Sequence, residues 1–539
     1  MQLFKKKSDQ PVKEKTPPVY LSWANNTNEC WWKDSGLRRN VFWAFVLYFG
    51  PFVQGYDGAY FNALQIMPAF NEYFDTPKGS RLGLFTAATY FPLVALAPFQ
   101  AMITDIIGRR LSIVIGSVIL IAGSFVGCFA NGDGMFIAGR VIVGLANGFV
   151  LFGTNLLLNE ILHPRLRSVS SAIFFVFYYV GSSCASWFGY AAIAHNWNSD
   201  WSWRICTLLQ AIGVILLLVC APFMPESPRW LISRGHKERA HKILAHYHAN
   251  GKMDDELVLN ELEEIENALY KEKTERAGWM SFFATPGNRK RFAVLLLIGT
   301  GSQFNGNNPP AYFLNDVLTI VGITDNVVKS GINGGLALWN LLWSGFGASM
   351  VEHIGRRPLW IWSTAAMLVS YIFLTGLSGG FDATQNTATG YASVAFIFFV
   401  YAAYDMSWTP LSWSYTIEIL PFSLRAKGFV NPIALDAIGW KYYFVFIGTL
   451  IFYLTCAVFL FKETKGLSLE EVALVFDRPD ADTSDKKQAI LTELRDPALP
   501  AGTKFSGRAA EIRHLEDEDE AADEDSVAPK GKKERKVEV

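Results

Sequence analysis

Hydrophobic positions in this chain come in blocks of about twenty residues, separated by shorter polar links. The blocks fall at residues 41–63, 83–104, 111–130, 135–158, 170–194, 204–223, 293–314, 332–351, 359–378, 390–414 and 441–461. Twenty or so apolar residues in a helix cross about 30 Å of hydrocarbon. The pattern therefore predicts an all-α polytopic membrane protein with eleven spans. Residues 224–290 are charged and predict two short amphipathic helices. In the second, Leu257, Leu262, Ile265 and Leu269 recur at helical spacing among glutamates. The expected organisation is a polar tail (1–40), a six-helix bundle (41–223), a charged loop (224–290), a five-helix bundle (291–461) and a hydrophilic tail (462–539).

Composition agrees with the pattern. Of 539 residues, 51% are hydrophobic and 18% charged, against roughly 25% charged in an average soluble domain. This excludes a soluble enzyme, a coiled coil and a disulfide scaffold. The net charge of −1 gives no basic field for a nucleic-acid partner. The six cysteines have no metal-ligand spacing, and five of them sit in or beside apolar blocks as small hydrophobes. No cleavable leader follows Lys5, Lys6 and Lys7. No nucleophile elbow, phosphate loop or histidine cluster marks an enzyme, and no cofactor is implied. His163, His195 and the histidine-rich stretch 236–248 read as solvated loop residues.

If the helices alternate in direction, Arg38, Arg39, Arg109, Arg110, Arg165, Arg167, Arg356, Arg357, Arg425 and Lys427 fall on one side. The positive-inside rule makes that side cytoplasmic, with the N-terminus inside. The same links hold an internal repeat. Asp105-Ile106-Ile107-Gly108-Arg109-Arg110 ends the second block, and Glu352-His353-Ile354-Gly355-Arg356-Arg357 ends the eighth. Glu160 precedes Arg167, and Glu418 precedes Arg425, by seven residues after the fourth and tenth blocks. Charges paired across helix ends can latch two bundles in one state and release them in another.

These motifs carry a specific resemblance. With Gly139-Arg140, Pro225-Glu226-Ser227-Pro228-Arg229-Trp230 and Lys462-Glu463-Thr464-Lys465-Gly466, the chain resembles the sugar porter family of the major facilitator superfamily. It is most similar to the fungal hexose and lactose-permease-like branch, over roughly residues 41–466. The resemblance implies two helical bundles around a central cavity and a sugar carried by alternating access, with a proton as co-substrate. It implies a multi-pass protein of the plasma membrane. Asp105, Arg109, Arg110, Glu160, Arg167, Glu226, Arg229, Glu352, Arg356, Arg357, Glu418, Arg425 and Glu463 would form its gating charge network.

Charges inside a span are costly, and Asp57 lies mid-block in the first one. Its expected partner is Arg140, and the resemblance makes the pair a proton-coupling site; a purely structural ion pair is the competing reading. The seventh block reads Gln303-Phe304-Asn305-Gly306-Asn307-Asn308-Pro309-Pro310-Ala311-Tyr312. Such a run predicts a broken helix lining a cavity, with carboxamides able to donate to and accept from sugar hydroxyls. Interhelix packing is the alternative use of these amides. By resemblance Gln303, Asn308, Tyr312, Asn340 and Trp413 bind the sugar, Trp413 by stacking, and Trp408 and Tyr415 are looser candidates. Ser302 and Asn305 depart from the family pattern. Phe175, followed by Tyr178 and Tyr179, stands where the family places a sugar-binding glutamine, which argues for a shifted specificity.

One helix of the family's twelve is missing. Only residues 429–439 separate Arg425-Ala426-Lys427-Gly428 from the last block, and eleven residues cannot span. The chain is expected to transport poorly or fold badly in this form, and a form with the helix restored to transport. A transporter-like sugar receptor and a non-transporting truncated isoform are the alternatives.

Overall fold

The computed structural model describes residues 24–28, 30–195, 197, 199–275, 283, 285–307, 314–320, 322–384, 386–419 and 443–462. Among these residues the regular structure is helical, with no strand. The first half comprises α1 (Ser35–Leu47), α2 (Phe49–Ile66), α3 (Pro68–Tyr73), α4 (Gly79–Ala87), α5 (Tyr90–Ile107), α6 (Arg109–Cys128), α7 (Asp133–Ile161), α8 (Pro164–Ala194), α9 (Trp201–Leu209) and α10 (Ala211–Cys220). Three helices follow in the charged loop: α11 (Pro228–Ser233), α12 (Lys237–His248) and α13 (Glu256–Glu275). The second half comprises α14 (Pro286–Phe304), α15 (Leu314–Ile320), α16 (Asn326–Ile354), α17 (Arg356–Thr384), α18 (Thr387–Ile419) and α19 (Tyr443–Phe459).

Among the described residues each apolar block falls mainly on helix. Among the described residues six runs are both long and apolar enough to cross a membrane: α6, α7, α8, Trp201–Phe223, Arg356–Phe381 and Ala388–Ser412. The first two blocks are each divided, at Tyr48 and at Ala88 and Thr89. Large apolar side chains stay exposed on these helices, as Phe125, Trp362, Phe373 and Phe399 do. In a bilayer the solvent for that surface is hydrocarbon.

The two halves are built as separate cores. Val53, Leu120, Val143, Leu157 and Val214 belong to one apolar cluster, and Tyr56, Phe70, Phe136 and Trp203 to another; both lie wholly in the first half. Val294, Leu318, Trp360, Tyr371, Tyr401 and Leu450 form a third, wholly in the second half. A core that closes within each half leaves the surface between them to smaller and more polar contacts. Those contacts run mainly between α8 and α16, with α2 and α18 beside them. This is the two-bundle architecture of the major facilitator fold.

The internal repeat is written in the backbone as well. Gly108 ends α5 at φ 94° and ψ 158°, and Gly355 ends α16 at φ 101° and ψ 163°. A side chain is disfavoured at such positive φ. In both halves glycine therefore breaks the chain at the same point, and an arginine opens the next helix.

The expected amphipathic helices are α12 and α13. Leu244, Ala245, Val258 and Leu262 form a small core between them. The connector 429–439 and the tail beyond 462 lie outside the described residues, so the missing helix stands as an expectation.

Candidate functional site

The seventh block breaks as its composition predicts. Helix α14 stops at Phe304, Asn305 caps it, and Gly306 turns at φ 94°. A break inside a span frees carbonyls that must find partners. Three hydroxyls from three other helices provide them. Thr449 of α19 donates to the Phe304 carbonyl at 2.7 Å, Tyr371 of α17 to that of Gly306, and Tyr401 of α18 to that of Asn307 at 3.1 Å. A Cβ on residue 306 would overlap the Tyr371 ring. Asn305 is fully buried, and its Oδ1 accepts from the Asn307 N–H at 3.1 Å.

Buried polar atoms of the second half with no hydrogen-bond partner among the described residues include Asn305 Nδ2, Asn307 Oδ1, Asn340 Oδ1, Ser344 Oγ and Trp408 Nε1. Native interiors rarely leave such groups unpaired. Asn305 and Asn307 carry two of them at the break itself, and Trp408 lies against Gly301 of α14 just before it, which suits a polar cargo. Asn340 is thus placed on α16 as a buried amide with a free acceptor. Trp408 packs edge-on to Trp360 at 4.5 Å and parallel to Tyr404 at 6.5 Å. Tyr415 donates to the Lys462 carbonyl at 2.8 Å, a structural tie. The side chains of Gln303 and Trp413, and residues Asn308 and Tyr312, lie outside the described residues. Phe175 packs against the apolar core of the first bundle.

In the first bundle Asp57 and Arg140 are buried at 5% and 4% exposure. They do not form the direct pair expected. Arg140 Nη1 donates to the Tyr60 hydroxyl at 2.7 Å, and its guanidinium lies 4.6 Å from the Phe61 ring centre. Asp57 Oδ2 instead accepts from Asn147 Nδ2 at 3.4 Å. Tyr60 and Phe61 lie about one turn beyond Asp57 on α2, so they take the cation that the carboxylate would otherwise hold. Asp57 Oδ1 and Arg140 Nε have no partner among the described residues.

At the arginine-bearing face the charge network of the first half is assembled. Arg109, 6% exposed, makes a two-pronged bond to Glu160, Nε to Oε2 at 2.9 Å and Nη2 to Oε1 at 3.1 Å. It also meets Asp105 at 2.8 Å. Glu226 caps the start of α6, accepting from the backbone N–H groups of Arg109 at 3.2 Å and Arg110 at 3.3 Å, and from that of Ser227 at 3.0 Å. Burial nevertheless holds its carboxyl above the usual carboxylate range. Arg110 donates to the Pro222 carbonyl at 3.0 Å. Arg167 sits 3.8 Å from Glu261, and Arg229 is half-buried. In the second half Arg356 is buried and Arg357 donates to the Val458 carbonyl at 2.7 Å. The side chain of Glu352 lies outside the described residues, as do that of Glu418 and residues Arg425 and Glu463.

Two features of the structure go beyond the sequence reading. The first corrects it: His163 and His248 are not solvated but 1% exposed. His248 Nδ1 meets Glu261 at 2.5 Å and its Nε2 meets the Ile161 carbonyl at 3.0 Å. His163 Nδ1 caps α8 by accepting the Arg165 N–H at 3.2 Å. Its Nε2 meets the Asn25 side chain at 2.9 Å. Asn26 N–H donates to Asp255 at 2.9 Å. The segment before α1 is thereby fastened to the start of α8 and to the link between α12 and α13. Burial works against the Glu261 carboxylate, but His248 and Arg167 outweigh it and hold the group below the usual range. Burial, with His248, Arg165 and Arg167 nearby, lowers His163 to about 3. Below about pH 6.5 the unfolded chain takes up a proton at His163 that the folded chain refuses. The docked arrangement is therefore fully stable above that pH and loses up to about 1.4 kcal/mol per unit as pH falls toward 3. Amide exchange of residues 24–40 is expected to quicken between about pH 7.5 and about pH 5.5 relative to α6. Unchanged relative protection would refute it.

The second feature is Asp405 of α18, fully buried and not among the sequence candidates. Its Oδ1 accepts from the Tyr179 hydroxyl of α8, across the bundle interface, and from Thr409 Oγ1 at 2.8 Å. A carboxyl in an apolar block was the available signal.

Comparison with known proteins bears on the chain and its fold as a whole. The sequence profile of the sugar (and other) transporter family matches residues 43–476. The MFS-type transporter criB of Aspergillus cristatus is 27% identical over 434 residues, covering 79% of this chain and 91% of that protein. A high-affinity glucose transporter of Kluyveromyces lactis is 27% identical over 468 residues, covering 78% and 81%. Among solved structures, the proton:xylose symporter XylE bound to 6-bromo-6-deoxy-D-glucose superposes with a TM-score of 0.67. It is 20% identical, covering 81% of this chain and 99% of that one. The inward open form of XylE from E. coli gives 0.62 at 20% identity, covering 80% and 98%.

Proposed function

The chain belongs to the sugar (and other) transporter family, and on that premise we propose that it takes up a sugar across the plasma membrane by alternating access, coupled to a proton. The arginine-bearing face is the cytoplasmic one, and the N-terminus lies inside. The cargo is a hexose or a disaccharide; the glucose transporter of Kluyveromyces lactis supports the first.

One observation carries the sugar-binding part of the reading. The break after Phe304 is capped by three hydroxyls and flanked by amide and indole groups with unused hydrogen-bonding capacity. Amides can both donate and accept, as a hydroxyl-rich cargo demands. Gln303, Asn308, Tyr312, Asn340 and Trp413 are proposed to line the cargo site. Asp57 is proposed to carry the coupled proton, with Arg140, held by Tyr60, setting its field. The Arg109–Glu160 pair, with Asp105, Arg110, Glu226, Arg167 and Arg229, is proposed to close the cytoplasmic side, and Glu352, Arg356, Arg357, Glu418, Arg425 and Glu463 to do the same in the second half. The absent eleventh helix would open one wall of the second bundle, so the 539-residue chain is expected to carry sugar slowly. Inserting a twenty-residue helix between Gly428 and Asn431 is expected to raise the rate.

The test is uptake of labelled D-glucose, D-xylose and lactose by cells lacking their own sugar carriers. Saturable uptake of one of these, blocked by an excess of the unlabelled sugar, is expected. Binding of a sugar without uptake by either form of the chain would replace the carrier reading with a receptor.

A further inference from the structure

A cavity of about 490 Å³ lies where α1 meets the end of α12. Ser35, Arg38, Arg39, Phe42 and Trp43 of α1 and Tyr247 of α12 line it, so it holds two arginines and no acid. Arg38 is exposed and makes no hydrogen bond or ion pair among the described residues. Arg39 donates to His246 Nε2 at 2.8 Å and has no other partner among the described residues. The Tyr247 hydroxyl accepts from Trp43 Nε1 at 3.1 Å, which leaves its own proton to donate. The acid next to the rim, Asp34, is buried and already committed. It accepts from the Leu37 N–H at 3.0 Å and from Asn250 Nδ2 at 2.8 Å. The cavity therefore offers positive charge and donors, which suits an anion that only accepts.

The same face of α1 continues as an apolar stripe. Ser35, Arg38, Phe42 and Phe45 follow one another at spacings of three, four and three, so they share one side of the helix. Phe42 is 53% exposed and Phe45 49%. Phe45 also packs edge-on against Phe49 and Phe177, at 5.7 and 5.9 Å. The helix rises about 10 Å between Arg38 and Phe45, enough to pass from the headgroup layer into hydrocarbon. Just before α1, in the turn Trp31–Lys33, Trp31 and Trp32 are exposed beside a lysine. Tryptophans and cations at the end of a span belong to a membrane–water interface.

A soluble phosphate would meet the arginines and leave the phenyl rings uncovered, whereas a phospholipid covers both. We propose that this cavity binds the headgroup phosphate of an anionic glycerophospholipid from the leaflet on the arginine-bearing side, with its acyl chains along Phe42 and Phe45. The guanidinium forks take the phosphate oxygens, and the Tyr247 hydroxyl adds a donor from α12. With no carboxylate in the lining, nothing favours the ammonium of a zwitterionic headgroup, while two arginines favour a net negative one. The arginines belong to α1 and Tyr247 to α12, so a bound lipid holds the charged loop against the first bundle. The site lies apart from the break after Phe304 and does not depend on what the chain carries.

The test titrates the full chain, purified in lipid-free detergent micelles, with phosphatidylserine, phosphatidylcholine or inorganic phosphate. Bound lipid is read from the mass of the intact complex, and stability from the unfolding midpoint. Phosphatidylserine is expected to bind and to raise the midpoint, phosphatidylcholine to bind about fivefold more weakly, and millimolar phosphate to leave the midpoint where it was. Arg38→Gln is expected to weaken phosphatidylserine binding about fivefold. Its lipid-free midpoint is expected to match the parent's, because Arg38 has no protein partner to lose. Arg38→Lys keeps the charge without the fork and is expected to fall between the two. Phosphatidylcholine binding as tightly as phosphatidylserine, or phosphatidylserine binding Arg38→Gln as tightly as the parent, would overturn the proposal. An equal rise in midpoint with inorganic phosphate alone would overturn it too, in favour of a soluble-anion site.

Discussion

Replacing Asp57 with asparagine is expected to abolish uphill accumulation of sugar while leaving downhill exchange intact. A carrier that moves one proton with each sugar concentrates the sugar up to about tenfold per pH unit of gradient, since one unit is worth 1.36 kcal/mol. That ratio is set at steady state, so it holds even for a chain that turns over slowly. Asparagine at 57 keeps the size of the side chain and its contact with Asn147 but has no proton to exchange. The accumulation ratio is expected to drop to about one at any imposed gradient. Exchange of labelled for unlabelled sugar across liposomes needs no net proton movement and is expected to continue. Tyr60→Phe gives a useful contrast: it frees the Arg140 guanidinium now bound to the Tyr60 hydroxyl. Coupling is expected to persist there, because Asp57 keeps a carboxyl that can carry the proton. Accumulation that survives in Asp57→Asn would remove this residue from the coupling role.

Arg109→Met is the substitution with the largest expected cost to stability. Arg109 is buried and makes paired bonds to Glu160, whose side chain is 13% exposed. Asp105 is 58% exposed and contributes little, as surface charges do. Removing the arginine leaves the Glu160 carboxylate buried without its cation, a loss of about 3 kcal/mol. Arg109→Met combined with Glu160→Gln is expected to recover part of that loss, because no charge is then stranded. The readout is the detergent unfolding midpoint of the purified chain. A single substitution no less stable than the double one would show that the pair is not what holds α6 to α7 at this face.

Much of this was legible in the sequence because its signals are local. Apolar blocks become helices wherever the surrounding medium cannot hydrogen-bond the backbone. The Gly-Arg-Arg repeat announced two equivalent helix breaks, and Gly108 and Gly355 share one backbone conformation. Glycine with flanking amides announced the break after Phe304.

What stayed hidden depends on partners far apart in the chain. Glu160, Arg109 and Arg167 were read as members of one charge network, but the sequence did not say that Glu160 bonds Arg109 of α6 while Arg167 turns to Glu261. Arg140 was read as the partner of Asp57, and Tyr60, about a turn away on α2, takes its place. His163 and His248 looked solvated because their neighbours in sequence are polar. Only the return of α12 and α13 against α7 and α8 buries them. Asp405 was missed although a lone carboxyl in an apolar block is itself a signal; its hydroxyl donor Tyr179 lies in the other bundle.

The central claim is that this chain carries sugar, and the most direct measurement is initial uptake of labelled D-glucose, D-xylose and lactose into liposomes holding the purified protein. It is made for the 539-residue chain and for the form with a helix inserted after Gly428. The account predicts saturable uptake of at least one sugar above that of empty liposomes, faster in the longer form. Uptake equal to that of empty liposomes in both forms, with the protein folded, would contradict it.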